Sequence, residues 1–170
     1  MPHCESFPPL VGPQPRVLVL GSMPGTASLA AREYYAHPRN AFWPIMGELV
    51  GAGLSLSYVP RTRRLTVSGI ALWDVLARCE REGSLDTAID RSSEHPNAVA
   101  ALIRQHPSLR AVFLNGSKPH AAFRRHVVPG LDGDLCGHLH IEQLPSTSPA
   151  NARLSLADKV AAWRVLVQWL

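Results

Sequence analysis

Arg16-Val17-Leu18-Val19-Leu20-Gly21-Ser22-Met23-Pro24-Gly25 is the stretch on which the reading of the fold turns. Four apolar residues follow one another with no polar alternation, the pattern of a strand buried on both faces, as in a parallel sheet. Glycine ends the run, and Ser22 to Gly25 read as a tight loop at its carboxyl end. The same arrangement recurs downstream. Gly69-Ile70-Ala71-Leu72-Trp73 is followed by Asp74, Arg110 to Leu114 stops at Asn115-Gly116, and Leu139 to Leu144 runs into Pro145-Ser146-Thr147-Ser148-Pro149-Ala150-Asn151.

Helical patterns lie between these runs. Phe42, Ile45, Met46, Leu49 and Val50 form one apolar face, closed by Gly51 and Gly53. A basic helix near residues 60–67 carries Arg61, Arg63 and Arg64. Asn97 is expected to cap a helix with Val99, Leu102, Ile103 and His106 on its inner face. Ser117 to Val127 is expected to be helical. Ser155-Leu156-Ala157-Asp158 is a capping-box pattern opening a last helix, with Val160, Trp163, Val167 and Leu170 inward. Alternating strands and helices imply an α/β fold with a mainly parallel sheet covered on both faces. Ligands in such folds sit beyond the carboxyl ends of the strands. That rule gathers Ser22 to Gly25, Asn115-Gly116 and Pro145 to Asn151 around one crevice. Residues 1–15 read as an extended, Pro-rich lead-in, and residues 16–170 as a single domain.

With 170 residues the chain is long enough to bury a core without disulfides. No apolar run is long enough to span a membrane, no signal pattern opens the chain, and a cytoplasmic location is expected. The formal charge of +4 suits a polyanionic partner without requiring one. Cys4, Cys79 and Cys136 are odd in number and widely spaced, which argues against a disulfide framework, a zinc finger or a four-cysteine cluster. If Cys136-Gly137-His138-Leu139-His140 were a strand, Cys136, His138 and His140 would share a face and could meet a metal. The plainer reading is a strand with exposed polar positions, and no metal site is expected.

No G-x-G-x-x-G, G-x-x-x-x-G-K-[ST] or G-x-S-x-G occurs, against dinucleotide binding, a Walker-type phosphate loop or a hydrolase nucleophile elbow. The polar groups of the crevice are mostly neutral: Ser22, Asn40, Asn115, Ser146, Thr147, Ser148 and Asn151. Such groups hold a planar heterocycle and position water, but move protons poorly. Tyr34, Tyr35, Phe42 and Trp43 surround Asn40, and aromatic faces beside amides suit a base taken out of its stack. On the residues alone, Asn40 serves equally well as a helix cap or a catalytic amide. Asn115-Gly116 also reads as a strand-end turn, and His37 as a residue bracing its loop.

Gly21-Ser22-Met23-Pro24-Gly25 and Tyr34-Tyr35-Ala36-His37-Pro38-Arg39-Asn40-Ala41-Phe42-Trp43 together resemble the mismatch-specific uracil-DNA glycosylases, and above all the hypoxanthine-DNA glycosylase branch, family 6 of that superfamily. The resemblance extends in order through Gly69 to Val75, Phe113-Leu114-Asn115-Gly116 and Leu144 to Asn151. It implies a three-layer αβα sandwich around a central, mainly parallel four-stranded sheet. It also implies hydrolysis of the N-glycosidic bond of a flipped deaminated base, with no cofactor. Asn40 matches the branch's catalytic Asn, while the mismatch-specific relatives carry theirs where this chain has Ser22. Asn115 matches the base-contacting Asn, and Tyr35 an aromatic that stacks on the base. Ser22 and Met23 would line the base pocket. Ser146, Thr147, Ser148 and Asn151 match the loop that presses on DNA, although Leu144 replaces the Asn that usually opens it. Lys118 and Arg153 lie near enough to contact phosphates.

The expected substrate is therefore double-stranded DNA with a deaminated base, hypoxanthine before uracil or xanthine, with single-stranded DNA as a second form. The enzyme would be a monomer, independent of membranes. Three rivals remain: a mismatch uracil-DNA glycosylase, a non-catalytic binder of damaged DNA, and a nucleoside hydrolase acting through Ser22.

Overall fold

Leu18 and Leu20 face one side of their strand and Val17 and Val19 the other, and all four are completely buried. This double burial is why the strand reads as an unbroken apolar run. The computed structural model describes residues 2–170. In chain order its elements are β1 (His3–Glu5), β2 (Val17–Gly21), α1 (Thr26–Ala31), α2 (Phe42–Val50), α3 (Tyr58–Val67), β3 (Ile70–Asp74) and β4 (Leu76–Glu80). There follow β5 (His95–Pro96), α4 (Val99–Gln105), β6 (Ala111–Asn115), α5 (Ser117–His126), α6 (Gly133–His138), β7 (His140–Leu144) and α7 (Leu156–Trp163).

The central sheet has the order β3-β2-β6-β7, all parallel. On one face Leu18, Leu20, Ala71, Val112 and Leu114 pack with Val99, Leu102 and Ile103 of α4 and Ala122 and Phe123 of α5. On the other, Val17, Val19, Ile70, Leu72 and Phe113 meet Phe42, Trp43, Ile45 and Met46 of α2, Leu65 of α3 and Trp163 of α7. The three-layer αβα sandwich with a four-stranded parallel sheet is thus as expected.

A second, antiparallel sheet, β1-β4-β5, had no counterpart in the sequence reading. Residues 3–5 of the N-terminal segment pair with β4, Cys4 opposite Cys79, and Leu10 bridges Leu72. β4 follows β3 after Val75 alone and leaves the sheet edge, with Val75 N–H bonded to Gly21 C=O at 2.8 Å and Leu76 N–H to Ser22 C=O at 3.1 Å.

Three local expectations are corrected. Asn97 caps nothing: its Nδ2 donates to the carbonyls of Asp74 (2.8 Å) and Leu76 (3.1 Å) and to Ser6 Oγ, tying the β3–β4 junction. Cys136 and His138 lie on α6, which Asp132 caps, rather than on a strand. His140 begins β7 and bonds Glu142, so the three do not converge, and no metal-like cluster exists among the described residues. The last helix has its capping box at Ser155 and Asp158, but tightens to a 3-10 helix over Arg164–Trp169. A period of three puts Leu166 inside with Trp163 and leaves Val167 at 39 % exposure.

Candidate active site

At the carboxyl ends of the four parallel strands lies an open cleft of about 1440 Å³, larger than the roughly 300–1,000 Å³ typical of small-molecule pockets. It gathers the Gly21–Ser28 segment, Tyr34 and Tyr35, His37 to Asn40 except Pro38, Asp74, the Ser84–Thr87 segment, Asn115 to Lys118 and the 145–151 loop. All three loops expected around one crevice meet there.

Tyr35 takes a left-handed backbone conformation (φ 53°), uncommon for a residue with a bulky side chain. Its ring stacks on Phe42 with centroids 4.2 Å apart, and its hydroxyl accepts from Asn115 Nδ2 at 3.1 Å. Burial first, and then the nearby Asp74 charge, push its phenol far above the ordinary value, so it stays neutral. Asn40 Oδ1 accepts the Phe42 N–H at 2.9 Å, which fixes the start of α2. Its Nδ2 has no partner among the described residues, and the half-buried side chain borders the cleft. Ala41, not Asn40, takes the N-cap position of α2, so Asn40 braces the helix start from one residue before it through Oδ1 and leaves Nδ2 unused.

Asn115 is 7 % exposed and its amide is used internally. Nδ2 donates to Tyr35 Oη and, at 2.9 Å, to Thr147 Oγ1, while Oδ1 accepts the Thr147 N–H at 2.9 Å. Thr147 is completely buried, and its carbonyl accepts the Ala41 N–H. Thr147 therefore does not face outward with the other loop residues expected on DNA; it joins β6, the 145–151 loop and the start of α2. Gly116 sits in a left-handed conformation (φ 104°) and a Cβ there would lie 3.0 Å from Ser146 Cβ, so glycine is required at this turn. Asn151 Nδ2 closes the loop onto the Ser146 carbonyl at 3.0 Å. His37 braces its own loop, accepting the Arg39 N–H.

Ser22 Oγ donates to Asp86 Oδ1 at 2.5 Å. The buried Arg81 binds the carbonyls of Gly83 (2.8 Å), Met23 (3.5 Å) and Pro24 (2.5 Å), clamping the Ser22–Gly25 loop from behind. Asp74, at the end of β3, is 3 % exposed, and its Oδ2 has no hydrogen-bond partner among the described residues. Burial, and then the charge of Asp86, push its carboxyl up to about 7 against the opposing Arg81. Burial raises Asp86 too, but the Ser22 hydrogen bond, Arg81 and Lys118 oppose the rise.

The rim charges differ from expectation. Lys118 borders the cleft, but its ammonium is paired with Glu94, which also binds Arg125 (2.6 Å) and His126 (2.9 Å). Desolvation opposes ionisation of Glu94, yet hydrogen bonds from Lys118 and His126 and the Lys118 and Arg125 charges hold it below the ordinary value. The exposed cations on the rim with no ion pair among the described residues are Arg39 and Arg153. Arg39 was not singled out in the sequence, although it lies inside the His37–Asn40 motif. Arg81 and Asp86 were also missed, because no local pattern marks them; β4 carries them back to the β2 loop.

A sequence profile of the uracil DNA glycosylase superfamily matches residues 8–167. The chain belongs to this superfamily. It is 33 % identical over 163 residues to a hypoxanthine DNA glycosylase of Methanosarcina acetivorans, covering 95 % of this chain and 96 % of that one. It is 38 % identical over 115 residues to a hypoxanthine DNA glycosylase of Methanosarcina barkeri, covering 67 % and 72 %. The solution NMR structure of a proposed uracil DNA glycosylase from Methanosarcina acetivorans superposes with a TM-score of 0.76 at 30 % identity, covering 96 % of this chain and 98 % of that one.

Proposed function

We propose that this member of the superfamily is a monofunctional DNA glycosylase that hydrolyses the N-glycosidic bond of hypoxanthine flipped out of duplex DNA. The observation that carries the reading is Asn40. Its amide is anchored through Oδ1 at the start of α2, with Nδ2 unpartnered among the described residues on a side chain that lines the cleft together with Tyr35 and the 145–151 loop. In this reading Asn40 orients the attacking water. Tyr35 and Met23 flank the base, with Ser22 and Asn115 holding the pocket walls in place. Ser146, Ser148 and Asn151 meet the strand, and Arg39 and Arg153 meet phosphates.

Bond cleavage builds positive charge on the sugar and negative charge on the base, so groups fixed in advance near both favour the transition state over the ground state. A deaminated base pairs badly, which lowers the cost of flipping it. Lys118, held by Glu94, is unsuited to attack C1′, which favours hydrolysis over a Schiff base. Ser22 donates its proton to Asp86 and no histidine bonds it among the described residues, which disfavours the nucleoside hydrolase. The named relatives are archaeal; cells without a nucleus keep their DNA in the cytoplasm, where we place the enzyme, as a monomer.

The test is base release from duplex and single-stranded oligonucleotides carrying hypoxanthine or uracil, with alkali revealing abasic sites. Release from hypoxanthine duplex, slowed about 100- to 1,000-fold by Asn40→Ala, is the expected result. Release from uracil alone would refute the base assignment. No release from any strand by folded enzyme in excess would refute the activity.

A further inference from the structure

We propose that Asp74 is the general acid for the departing purine: its carboxyl, lining the cleft at the end of β3, hands a proton to N7 of the flipped base as the glycosidic bond breaks. This rests on the purine-glycosylase reading above and adds a proton transfer to it.

The geometry singles out this residue. A buried carboxyl oxygen without a partner is uncommon in a folded protein and calls for an explanation, such as a catalytic role. Asp74 Oδ2 is such an oxygen, on a side chain only 3 % exposed that borders the cleft. Three other polar groups of the cleft are engaged: Asn115 Nδ2 by Tyr35 and Thr147, Ser22 Oγ by Asp86, and Lys118 by Glu94. Gly21 keeps the space around the carboxyl clear, since a Cβ there would lie 2.5 Å from Asp74 Oδ1 and 2.9 Å from Tyr35 Oη. Asn40, being neutral, can hold water but has no proton to give at neutral pH.

The charged and titratable groups around Asp74 are Asp86 and Arg81, reached through β4, and Tyr34 and Tyr35 from the loop before α2. Both phenols are held neutral by burial. Asp86, with its hydrogen bond from Ser22, is the better stabilised carboxylate of the two. Burial and the Asp86 charge, against Arg81, leave Asp74 titrating at about 7, where a general acid is both protonated and willing to release its proton.

The C1′–N9 electron pair passes into the purine, and the N7 lone pair takes the Asp74 proton, so hypoxanthine leaves neutral and Asp74 becomes a carboxylate. Water forms the new bond to C1′ and its surplus proton goes to solvent through the open cleft. Asp74 then regains a proton from solvent, and one water is consumed. A pyrimidine offers no N7, so this device serves purines alone.

Single-turnover release would be measured for wild type and Asp74→Asn on duplexes with deoxyinosine or 7-deaza-2′-deoxyinosine, over roughly pH 5.5 to 8.5. Wild type on deoxyinosine should slow about tenfold per pH unit above about 7, and Asp74→Asn should be at least about 100-fold slower at low pH, without that alkaline limb. On the 7-deaza substrate, wild type should fall to the rate of the variant. An Asp74→Asn rate matching wild type on deoxyinosine would overturn the proposal alone, as would a slow variant that keeps the wild-type pH profile. Equal wild-type rates on the two substrates would also overturn it, and that comparison holds even if the variant folds poorly. No hypoxanthine release by wild type at any pH would overturn the proposed function itself, and this proposal with it.

Discussion

Asp74→Asn should change how stability depends on pH, independently of any effect on catalysis. In the unfolded chain this carboxyl titrates near 3.8, and in the native state at about 7. Below the lower value both states are protonated and the residue contributes no pH dependence. Between the two, the native state keeps a proton that the unfolded state releases, so stability falls as pH rises, by about 1.4 kcal/mol per pH unit. Above about 7 the loss is complete, at about 4 kcal/mol in total. This is a large share of the roughly 5–15 kcal/mol that holds a domain of this kind together. The asparagine variant has the same shape and nothing to ionise, so its curve should lack this slope. The assay is urea unfolding followed by tryptophan fluorescence, since Trp43, Trp73 and Trp163 are buried. With a urea slope of about 2 kcal/mol/M, the wild-type midpoint should lose about 2 M relative to the variant between roughly pH 4 and pH 8. The pH slope is the readout, because the new amide protons bring a constant offset of their own. Parallel curves would refute the reasoning and place Asp74 among ordinary carboxylates.

Arg81→Met should destabilise the protein by about 3–5 kcal/mol, the usual cost of leaving a buried charge system and carbonyl oxygens without their partner; it should also slow base release by loosening the Ser22–Gly25 loop, as urea unfolding and single-turnover rates would show. Gly116→Ala should cost about 1–3 kcal/mol, because the residue would hold an unfavourable φ and press on Ser146; a thermal midpoint within error of wild type would count against the described turn. Arg39→Ala and Arg153→Ala should each lower the slope of log binding constant against log salt by about 0.9 on duplex DNA, whereas Lys118→Ala, whose charge Glu94 already neutralises, should change it less. Fluorescence anisotropy across a salt series checks all three variants.

The sequence by itself determined the four parallel strands, the helices that flank most of them and the three loops that meet in the cleft. The reason is physical: strands buried on both faces need unbroken apolar runs, as Val17 to Leu20 and Ala111 to Leu114 show, and their carboxyl ends must lie on one side of a parallel sheet. Asn40, Asn115 and the 145–151 loop stood out because motifs mark them, and strand polarity alone placed three of the loops that line the cleft, though not the Ser84–Thr87 segment. What only the tertiary structure decided is how each polar group is used. The β1-β4-β5 sheet is short and half-exposed, with the burial of β4 alternating weakly, so it leaves no strong periodic trace. Yet that sheet carries Arg81 to the β2 loop and leads to Asp86 at Ser22, pairings some sixty residues apart. Thr147 reads as a loop hydroxyl and becomes a buried brace; Lys118 reads as a free cation and is taken by Glu94. Leu166 displaces Val167 because the helix changes period after Trp163. Local pattern encodes which face of an element is apolar; it does not encode which distant charge or donor meets a buried polar atom, and in this cleft burial first, and then the distant Asp86 charge against Arg81, raises the carboxyl of Asp74.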